Sequence, residues 1–352
     1  MRIIGLMSGT SLDGVDAALL ETDGEFCLAP GPALTHPFPP ELRAALRTLL
    51  DCAADLPLDD PFLLETENAL TLHHIEAIRL LNEPADLIGF HGQTILHRPD
   101  HKRTWQIGDA HLLARKTNTP VAYDFRSADV AAGGQGAPFV PAYHAALAAN
   151  LEKPLVILNI GGVANITYVH GDATLFACDT GPGNALLDDF CQRHLGVPMD
   201  RDGALAAAGA PHEATLATLL AHPFFARPAP KSLDRQHFAD ALPLVEALPL
   251  PDAAATLVAF TVRAVFATPL PTPPERVLVT GGGRHNPAIM AALSAAAPCP
   301  IAPVEAEGWN GDALEAQCFA YLAARVLRGL PLSYPGTTGV PRPMQGGRIV
   351  KP

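Results

Sequence analysis

The sequence predicts an α/β protein that is built from two related domains. Its 352 residues are more than a single hydrophobic core usually organises. Short apolar runs, which are typical of buried strands, alternate with longer segments in which apolar residues recur at helical spacing. A strand, a polar loop and a second strand also open two parts of the chain, at Ile3–Leu20 and Val156–Val169. We therefore expect a first domain over residues 1–135 and a second over residues 136–352, whose last helix can pack back on the first.

The composition excludes several classes of protein. Lys and Arg number 24 against 36 Asp and Glu, a net charge of −12, whereas nucleic-acid binding needs a basic surface. The longest apolar runs are far shorter than the ~20 residues of a membrane span, and the apolar segment after Met1 is too short for a signal peptide. The six cysteines are scattered without a Cys-x-x-Cys pair, which is typical of reduced thiols in the cytoplasm. We expect a cytoplasmic enzyme acting on a small molecule, with neither nucleic acid nor membrane as partner.

The first domain is predicted to begin with two antiparallel strands around a polar loop. Apolar residues fill Arg2–Met7 and Val15–Leu20, whereas Gly, Ser, Thr and Asp dominate the segment between them. Leucines and isoleucines then recur at roughly helical spacing through one long segment, which predicts a helix. The further elements predicted in this domain are helices at Glu41–Asp51, Pro61–Leu81 and Ala110–Lys116, and strands at Asp86–Phe90 and Val121–Phe125.

The second domain is predicted to open in the same way. Two strands flank Gly161-Gly162, and a third strand ends at the turn-forming residues Asp179–Asn184. The strands predicted here are Leu155–Ile160, Asn165–Val169, Leu175–Cys178 and Val277–Thr280, and the helices are Ala185–His194, Asp252–Ala267, one that starts near Asn286, and Asp312–Arg328.

The polar loop after the first strand has the composition of an anion-binding loop. Glycine lets backbone N–H groups approach an anion closely, and hydroxyl groups add further donors. A nearby carboxylate can hold Mg²⁺ directly or through water. An ordinary hairpin turn is the alternative, since the Gly-Lys-Ser/Thr of a Walker loop is missing. The residues of this candidate loop are Gly9, Thr10, Ser11, Leu12, Asp13, Gly14, Val15 and Asp16.

Two more glycine-rich loops follow predicted strands. Gly161 and Gly162 lie in the segment Asn159–Thr167, which also contains Asn165. Gly281, Gly282 and Gly283 join a strand to a helix, where bare backbone can lie flat against a planar ligand or a ribose. Each loop alone can be a tight turn. Three such loops after strands in one chain favour a nucleotide-binding site.

Asp179 has two interpretations of equal weight from the residues alone. It follows a predicted strand and precedes a predicted helix, so its carboxylate can face a ligand and act as a general base. It can equally be a turn-forming or helix-capping aspartate.

Hydrogen-bonding side chains are dense at several predicted strand and helix ends of the first domain. This density suits a polyhydroxylated ligand, and an arginine among them can bind a carboxylate in a bidentate fork. Solvated loops are the alternative for each residue. The histidines of this region are not spaced like zinc ligands on one helix. The candidate residues are His91, Gln93, Thr94, Asp109, Arg126 and Asp129.

Glu315 lies in the first turn of the last predicted helix, close to Asp312. Acidic residues are expected there because they complement the helix dipole. A helix that returns to the ligand site could also present Glu315 to the ligand.

The motifs together carry a family resemblance that covers nearly the whole chain. In order they are Gly5–Asp16, Gly89–Thr94, Asn159–Ile166, Asp179–Asn184 and Thr280–Gly283. Their combination resembles the anhydro-N-acetylmuramic acid kinase family of bacterial cell-wall recycling. The first loop has Met7, and the second Asn159, where the wider superfamily usually carries aspartate.

The resemblance implies an actin-like fold, in which two α/β domains enclose a cleft that binds ATP and Mg²⁺ and close over their ligands about a hinge. It also implies a homodimer. The family phosphorylates the 6-oxygen of 1,6-anhydro-N-acetylmuramic acid and adds water at the anomeric carbon, which yields N-acetylmuramic acid 6-phosphate. That oxygen is an ether, so it becomes a nucleophile only as its bond to the anomeric carbon breaks.

The resemblance also implies roles for the candidate residues. Asp179 would be the base that activates water, and Gly9–Asp16 would hold the β- and γ-phosphates. Gly161 and Gly162 would flank the phosphates, and Gly281–Gly283 would lie under the adenosine. Asp13 and Asp16 are the candidate Mg²⁺ ligands. The sugar would be bound by His91, Gln93, Thr94, Asp109, Arg126, Asp129, Asn165 and Glu315.

Two other functions compete with a sugar kinase. A nucleotide-gated binding or regulatory protein of the same fold would need no sugar pocket, and the polar residues near 91–97 and 126–129 count against it. A glycoside hydrolase without a nucleotide would require a second catalytic carboxylate, and it would leave the three glycine loops unexplained.

Overall fold

The computed structural model describes residues 1–171, 174–233 and 237–352. Within these residues, no helix combines the length and the apolar character needed to cross a membrane. The strands are β1 (Arg2–Ser8), β2 (Gly14–Thr22), β3 (Cys27–Pro37), β4 (Leu87–Arg98), β5 (Arg103–Ile107), β6 (Val121–Tyr123), β7 (Leu155–Ile160), β8 (Val163–Val169), β9 (Leu175–Pro182), β10 (Arg276–Thr280), β11 (Ile301–Pro303) and β12 (Arg348–Val350).

The helices lie between groups of these strands. They are α1 (Pro40–Cys52), α2 (Pro61–Leu81), α3 (Ala110–Thr117), α4 (Ser127–Ala131), α5 (Val140–Leu147), α6 (Ala185–Leu195), α7 (Ala204–Ala207), α8 (Glu213–Leu220), α9 (Ala241–Val245), α10 (Leu250–Phe266), α11 (Pro287–Ala296), α12 (Leu314–Arg328) and α13 (Pro335–Thr338).

The chain divides into two compact units. The first combines Met1–Ala149 with Ala313–Pro352, and the second is Asn150–Asp312. This division differs from the expected boundary after residue 135, because α5 packs against β3 and α12 and so belongs to the first unit. The last long helix, α12, packs on β1, β2 and β4 of the same unit.

The sheet of the first unit has the strand order β3-β2-β1-β4-β6-β12, and β5 pairs with β4. The first three strands form an antiparallel meander, whereas β4 and β6 run parallel to β1. Strand β1 alternates between the two faces of the sheet. Ile4 and Leu6 join a core with leucines of α1 and α2, and Gly5 faces α12 on the other side.

The sheet of the second unit repeats this pattern, with the strand order β9-β8-β7-β10-β11. Strands β7, β8 and β9 again form an antiparallel meander. Strand β10 pairs with β7 in parallel, and β11 pairs with β10 in parallel. Val156, Leu158 and Ile160 of β7 join a core with α10 and α11. Two units with one topology agree with the duplication predicted from the sequence and with the actin-like fold that the resemblance implies.

A pair of glycines lets α12 approach the first sheet closely. Gly5 and Gly89 are register partners in β1 and β4. A Cβ atom would lie 1.8 Å from the Ala316 carbonyl oxygen at Gly5, and 2.1 Å from that of Phe319 at Gly89. Because no side chain fits at either position, this part of the family motif has a packing role.

Strand β9 is longer than predicted. It extends through Asp179, Thr180 and Gly181 to Pro182, where a turn was expected. The ladder with β8 is irregular here, since Asn165 pairs with Asp179 and Ala164 with Gly181. Proline and a bulge are tolerated because β9 lies at the edge of its sheet.

Candidate active site

In the first unit, the loop between β1 and β2 is fixed by one buried side chain. Leu12 is fully buried, yet its backbone has a φ of 58°, a left-handed conformation that is unfavourable for a bulky residue. The Leu12 N–H donates to the Gly9 carbonyl at 3.1 Å, and Arg43 Nε donates to the Leu12 carbonyl at 2.6 Å. The core and Arg43 therefore hold this loop in one shape.

The predicted phosphate-binding residues divide into an exposed and an inward-facing group. Thr10 and Ser11 are exposed at the tip, beside the half-buried Gly9, whereas Gly14 and Val15 are buried in β2. Asp13 is exposed and forms an ion pair with Arg43 at 3.2 Å. The tip therefore offers hydroxyl and backbone donors to an anion.

Gln93 supports this loop from β4. It is fully buried, and its Nε2 donates to the Gly9 carbonyl at 3.2 Å. Ser8 at the end of β1 donates in turn to the Gly92 carbonyl at 3.1 Å. Gln93 therefore contacts the predicted nucleotide loop, whereas its predicted contact with sugar stays a prediction.

His91 and Arg126 form a hydrogen-bonded pair in the first unit. Arg126 Nε donates to His91 Nε2 at 3.0 Å, so the proton of the neutral ring lies on Nδ1, which donates to the Gly92 carbonyl at 2.7 Å. Burial and the Arg126 charge hold the pKa of His91 well below its ordinary value. Neutral His91 thus orients the guanidinium of Arg126, which is half-buried and remains cationic.

Glu315 and Asp16 place two carboxylates near each other in the first unit. Desolvation by the surrounding protein and the charge of Asp16 raise the pKa of Glu315, which the Arg126 guanidinium counteracts. Asp16 also accepts a hydrogen bond from Thr35 Oγ1 at 2.6 Å. Among the described residues no cluster of three or more His, Cys, Asp or Glu side chains is arranged for a metal ion. A cation near Asp16 and Glu315 would relieve their repulsion, as suits Mg²⁺, which is commonly held by one or two carboxylates, substrate phosphates and water.

The remaining sugar-pocket candidates of the first unit have partners within the protein. Thr94 Oγ1 accepts from Gln106 Nε2 at 3.1 Å. Asp109 caps α3 by accepting from the Leu112 N–H at 2.8 Å. Asp129 is 2% exposed and binds backbone and hydroxyl groups of the protein, so its burial does not favour the predicted direct contact with a sugar.

In the second unit, three polar side chains form a row across β7, β8 and β9. Asn159 pairs with Asn165, and Asn165 pairs with Asp179. All three are half-buried, whereas their strand neighbours Ile160, Ile166 and Cys178 point into the core. Side chains opposite each other in a sheet lie about 5 Å apart, so this row can bind one small ligand or water.

Asp179 has the environment of a base that titrates near neutral pH. Burial raises the pKa of its carboxyl group to about 7, against the lowering effect of a hydrogen bond from the Leu233 N–H. That N–H lies 2.6 Å from Asp179 Oδ2, and the Asp179 N–H donates to the Lys231 carbonyl at 2.9 Å. The carboxylate is thus oriented by the segment Lys231–Leu233.

The glycine loops of the second unit are tied to each other. The Gly183 N–H donates to the Gly162 carbonyl at 3.0 Å, and the Asn184 N–H donates to that of Gly161 at 2.7 Å. Gly281 has a φ of 77°, and a Cβ there would lie 2.3 Å from Asn159 Oδ1, so only glycine fits.

A buried arginine braces the third glycine loop. Arg284 donates to the Gly281 carbonyl and to Glu305, both at 2.9 Å, and pairs with Asp312 at the same distance. Arg284 therefore stabilises the loop Gly281–Gly283, and the contact of this loop with adenosine stays a prediction.

Sequence reasoning did not select Asn159 or Arg43 as site residues. Asn159 belongs to a family motif and departs from the superfamily pattern, but its alignment with Asn165 and Asp179 depends on strand register. Arg43 is 31 residues from Leu12 in the chain and lies on the predicted helix α1, so local sequence carries no signal for its contact with the loop.

Comparison with known proteins gives one consistent result. A family model described as anhydro-N-acetylmuramic acid kinase matches residues 1–352. A protein of that name from Acidiphilium cryptum is 61% identical over 353 residues, which cover 100% of this chain and 99% of the relative. One from Gluconobacter oxydans is 55% identical over 358 residues and covers 99% of each chain.

Solved structures of low sequence identity are similar over most of the chain. Ligand-bound xylulose kinase from Lactobacillus acidophilus is 11% identical, with a TM-score of 0.46, and the match covers 93% of this chain and 89% of that one. A ROK family glucokinase from Streptomyces griseus, in complex with glucose and AMPPNP, is 12% identical, with a TM-score of 0.41, over 92% and 100% of the two chains.

Proposed function

Because the chain belongs to the anhydro-N-acetylmuramic acid kinase family, we propose that it converts 1,6-anhydro-N-acetylmuramic acid, ATP and water to N-acetylmuramic acid 6-phosphate and ADP. The bond between the anomeric carbon and the 6-oxygen breaks, and water forms a new bond to that carbon. The 6-oxygen takes the γ-phosphoryl group as the bond to the β-phosphate oxygen breaks. The product serves cell-wall recycling.

Asp179 is the base that takes a proton from the attacking water. The observation that carries this assignment is its half-buried carboxylate with a pKa of about 7, since a general base is most effective when its pKa lies near the working pH. Asn165, its register partner, is placed to orient water or a sugar hydroxyl. The Leu233 N–H keeps one carboxylate oxygen engaged and leaves the other for the water.

In the first unit, the exposed tip Gly9–Ser11 is the proposed phosphate-binding loop for ATP. In the second unit, the family resemblance assigns Gly161–Gly162 to the phosphates and Gly281–Gly283 to the adenosine. Asp16 and Glu315 would hold Mg²⁺, which supplies charge neutralisation to the phosphates when bound; Asp13 is the weaker candidate because Arg43 already pairs with it. Arg126 binds the anionic lactyl group of the sugar, because a guanidinium suits a carboxylate.

Replacement of Asp179 by Asn tests the assignment. We expect the variant to bind ATP as the wild type does and to lose both ring opening and phosphorylation. In oxygen-18 water, mass spectrometry should find the label on the anomeric carbon of the wild-type product. Wild-type turnover by the variant would refute the role of Asp179. An equal rate of ATP hydrolysis with and without the anhydro sugar would favour the nucleotide-gated regulatory alternative.

We also propose that the enzyme is a homodimer, as the family resemblance implies, and that it is cytoplasmic, as its six scattered cysteines indicate. Light scattering after size-exclusion chromatography tests the dimer, since a monomer has a mass of 37.0 kDa. Fractionation of cells and detection of the protein in the cytoplasmic fraction tests its location.

A further inference from the structure

A buried aspartate links three segments of the first unit. Asp129 on α4 accepts the Gly136 N–H on Oδ1 at 2.7 Å. Its other oxygen, Oδ2, accepts the hydroxyl of Thr338 at 2.7 Å and that of Ser333. Both hydroxyl residues are buried in the C-terminal segment, about 200 residues away in sequence. A buried carboxylate is stable only when its oxygens are satisfied in this way.

The loop that Asp129 holds, residues 133–136, is in contact with Arg126. Arg126 Nη1 donates to the Gly136 carbonyl at 2.6 Å. Two further bonds fix the loop: the Gln135 N–H donates to the Thr338 carbonyl at 2.7 Å, and His97 Nε2 lies 2.9 Å from the Gln135 carbonyl. The carbonyl that Arg126 uses therefore belongs to a rigid loop.

Arg126 is thus held at two atoms. His91 accepts from its Nε at 3.0 Å, and Gly136 accepts from its Nη1. A guanidinium donates up to five hydrogen bonds in one plane, so two fixed bonds set the plane in which the remaining donors point. Loss of the Gly136 contact would free the guanidinium to rotate about its side-chain torsions.

We propose that Asp129 is a positioning residue for Arg126 and that the C-terminal segment, through Thr338 and Ser333, takes part in sugar recognition by this route. Asp129 itself does not touch the sugar. The inference rests on the proposed function in taking Arg126 as the group that meets the sugar, while the geometry of the link is independent of that assignment.

Thr338→Val tests the link without altering Asp129. The substitution removes the hydroxyl donor and keeps the backbone carbonyl that binds Gln135. We expect kcat/KM for the anhydro sugar to fall roughly tenfold, the lower end of what one hydrogen bond to a charged group contributes, and KM for ATP to change by less than about twofold. Thr338→Ser should restore the wild-type value. The control is Thr117→Val in α3, where the hydroxyl donates only to the Leu113 carbonyl one turn back.

A double-mutant cycle with Arg126→Lys separates positioning from general destabilisation. If Thr338 acts through Arg126, the effect of Thr338→Val on kcat/KM for the sugar should disappear once the planar guanidinium is gone. If the losses of kcat/KM in Thr338→Val and Arg126→Lys instead multiply in the double variant, the proposal is overturned. Equal loss of sugar and ATP affinity in Thr338→Val, with a lowered melting temperature, would overturn it as well.

Chemical modification gives a readout that needs no activity. Phenylglyoxal reacts with guanidinium groups, and peptide mass spectrometry follows the rate at Arg126. We expect this rate to rise roughly threefold or more in Thr338→Val, because the weakened loop frees the side chain, and to be unchanged in Thr117→Val. An unchanged modification rate at Arg126 in Thr338→Val would refute the link from Thr338 through Asp129 to Arg126. If the wild type does not phosphorylate the anhydro sugar, the proposed function fails, and the modification rate alone decides whether Asp129 positions Arg126.

Discussion

The raised pKa of Asp179 should leave a pH-dependent signature in the stability of the second unit. Its value is about 7 in the folded protein, against an ordinary value of 3.8. The folded state therefore holds the proton more tightly than the unfolded state, and folding is favoured at low pH. The contribution is complete below pH 3.8 and is lost as pH rises through 7. Linkage gives a loss of about 2.6 kcal/mol between pH 5 and pH 8, at 1.36 kcal/mol per pKa unit.

Asp179→Asn should remove this dependence. The amide has no charge to desolvate, and its oxygen can still accept the Leu233 N–H. We expect the free energy of unfolding of the variant, relative to wild type, to rise by up to about 2.6 kcal/mol between pH 5 and pH 8. Urea titrations at both pH values measure it. The fluorescence of Trp309 reports on the second unit when Trp105 of the first unit is replaced by Phe.

The control is Asp240→Asn, which replaces an exposed carboxylate of the second unit. Its effect on the free energy of unfolding should be small and equal at the two pH values. Parallel pH profiles of the free energy of unfolding for wild type and Asp179→Asn would refute the claim that burial raises the pKa.

The same carboxyl group should also shape the pH dependence of catalysis. We expect kcat/KM for the sugar to fall about tenfold per pH unit below pH 7, as Asp179 becomes protonated. A flat profile of kcat/KM from pH 5 to pH 8 would contradict a base of this pKa.

Two other residues give predictions outside the catalytic chemistry. Arg43→Leu should raise KM for ATP roughly fivefold, since it removes a hydrogen bond to the nucleotide loop; steady-state kinetics measures this, and Arg47→Leu on the same helix should leave KM unchanged. Gly5→Ala should cost more than about 3 kcal/mol of stability, because the new Cβ would lie 1.8 Å from the Ala316 carbonyl oxygen. Thermal unfolding measures the loss, which Gly171→Ala, in open space, should not show.

Local chemistry explains why some elements were predicted closely. Helix α2 has the bounds expected from the sequence, because Asp60 caps it by accepting the Phe62 and Leu63 N–H groups, and Asn82 ends it in a left-handed conformation. Strand β3 was missed, since Pro30 and Gly31 interrupt its apolar pattern. Proline is compatible with β3 only because this strand lies at the edge of its sheet, and strand order is not a local property of the sequence.

The sequence predicts the candidate site as a set of loops, whereas the contacts that hold these loops in place are seen only in the structure. The glycine loops and Asp179 carry their signal in adjacent residues. Gln93 and Asp129 were predicted to bind the sugar because polar side chains at strand and helix ends are usually solvated, whereas the structure shows both to be buried. Their hydrogen-bond partners are 84 residues away at Gly9 and 209 residues away at Thr338. Only the tertiary structure therefore shows that these side chains support other segments of the first unit.

The duplicated topology places different side chains at equivalent positions of the two units. In the second unit a polar row runs from the penultimate residue of β7, Asn159, through Asn165 to Asp179. The equivalent row of the first unit runs from the penultimate residue of β1, Met7, through Asp16 to Thr35.

Each row thus contains one carboxylate, but on a different strand. In the first unit it is on the middle strand, where Thr35 donates to Asp16 and Glu315 lies close enough for repulsion, an arrangement that suits a cation. In the second unit it is on the edge strand, where desolvation dominates the pKa of Asp179, an arrangement that suits proton abstraction. Under the proposed function, the same three-strand frame would carry a cation-binding carboxylate in one unit and a base in the other. Met7 and Asn159 lie on the strand of each row that carries no carboxylate.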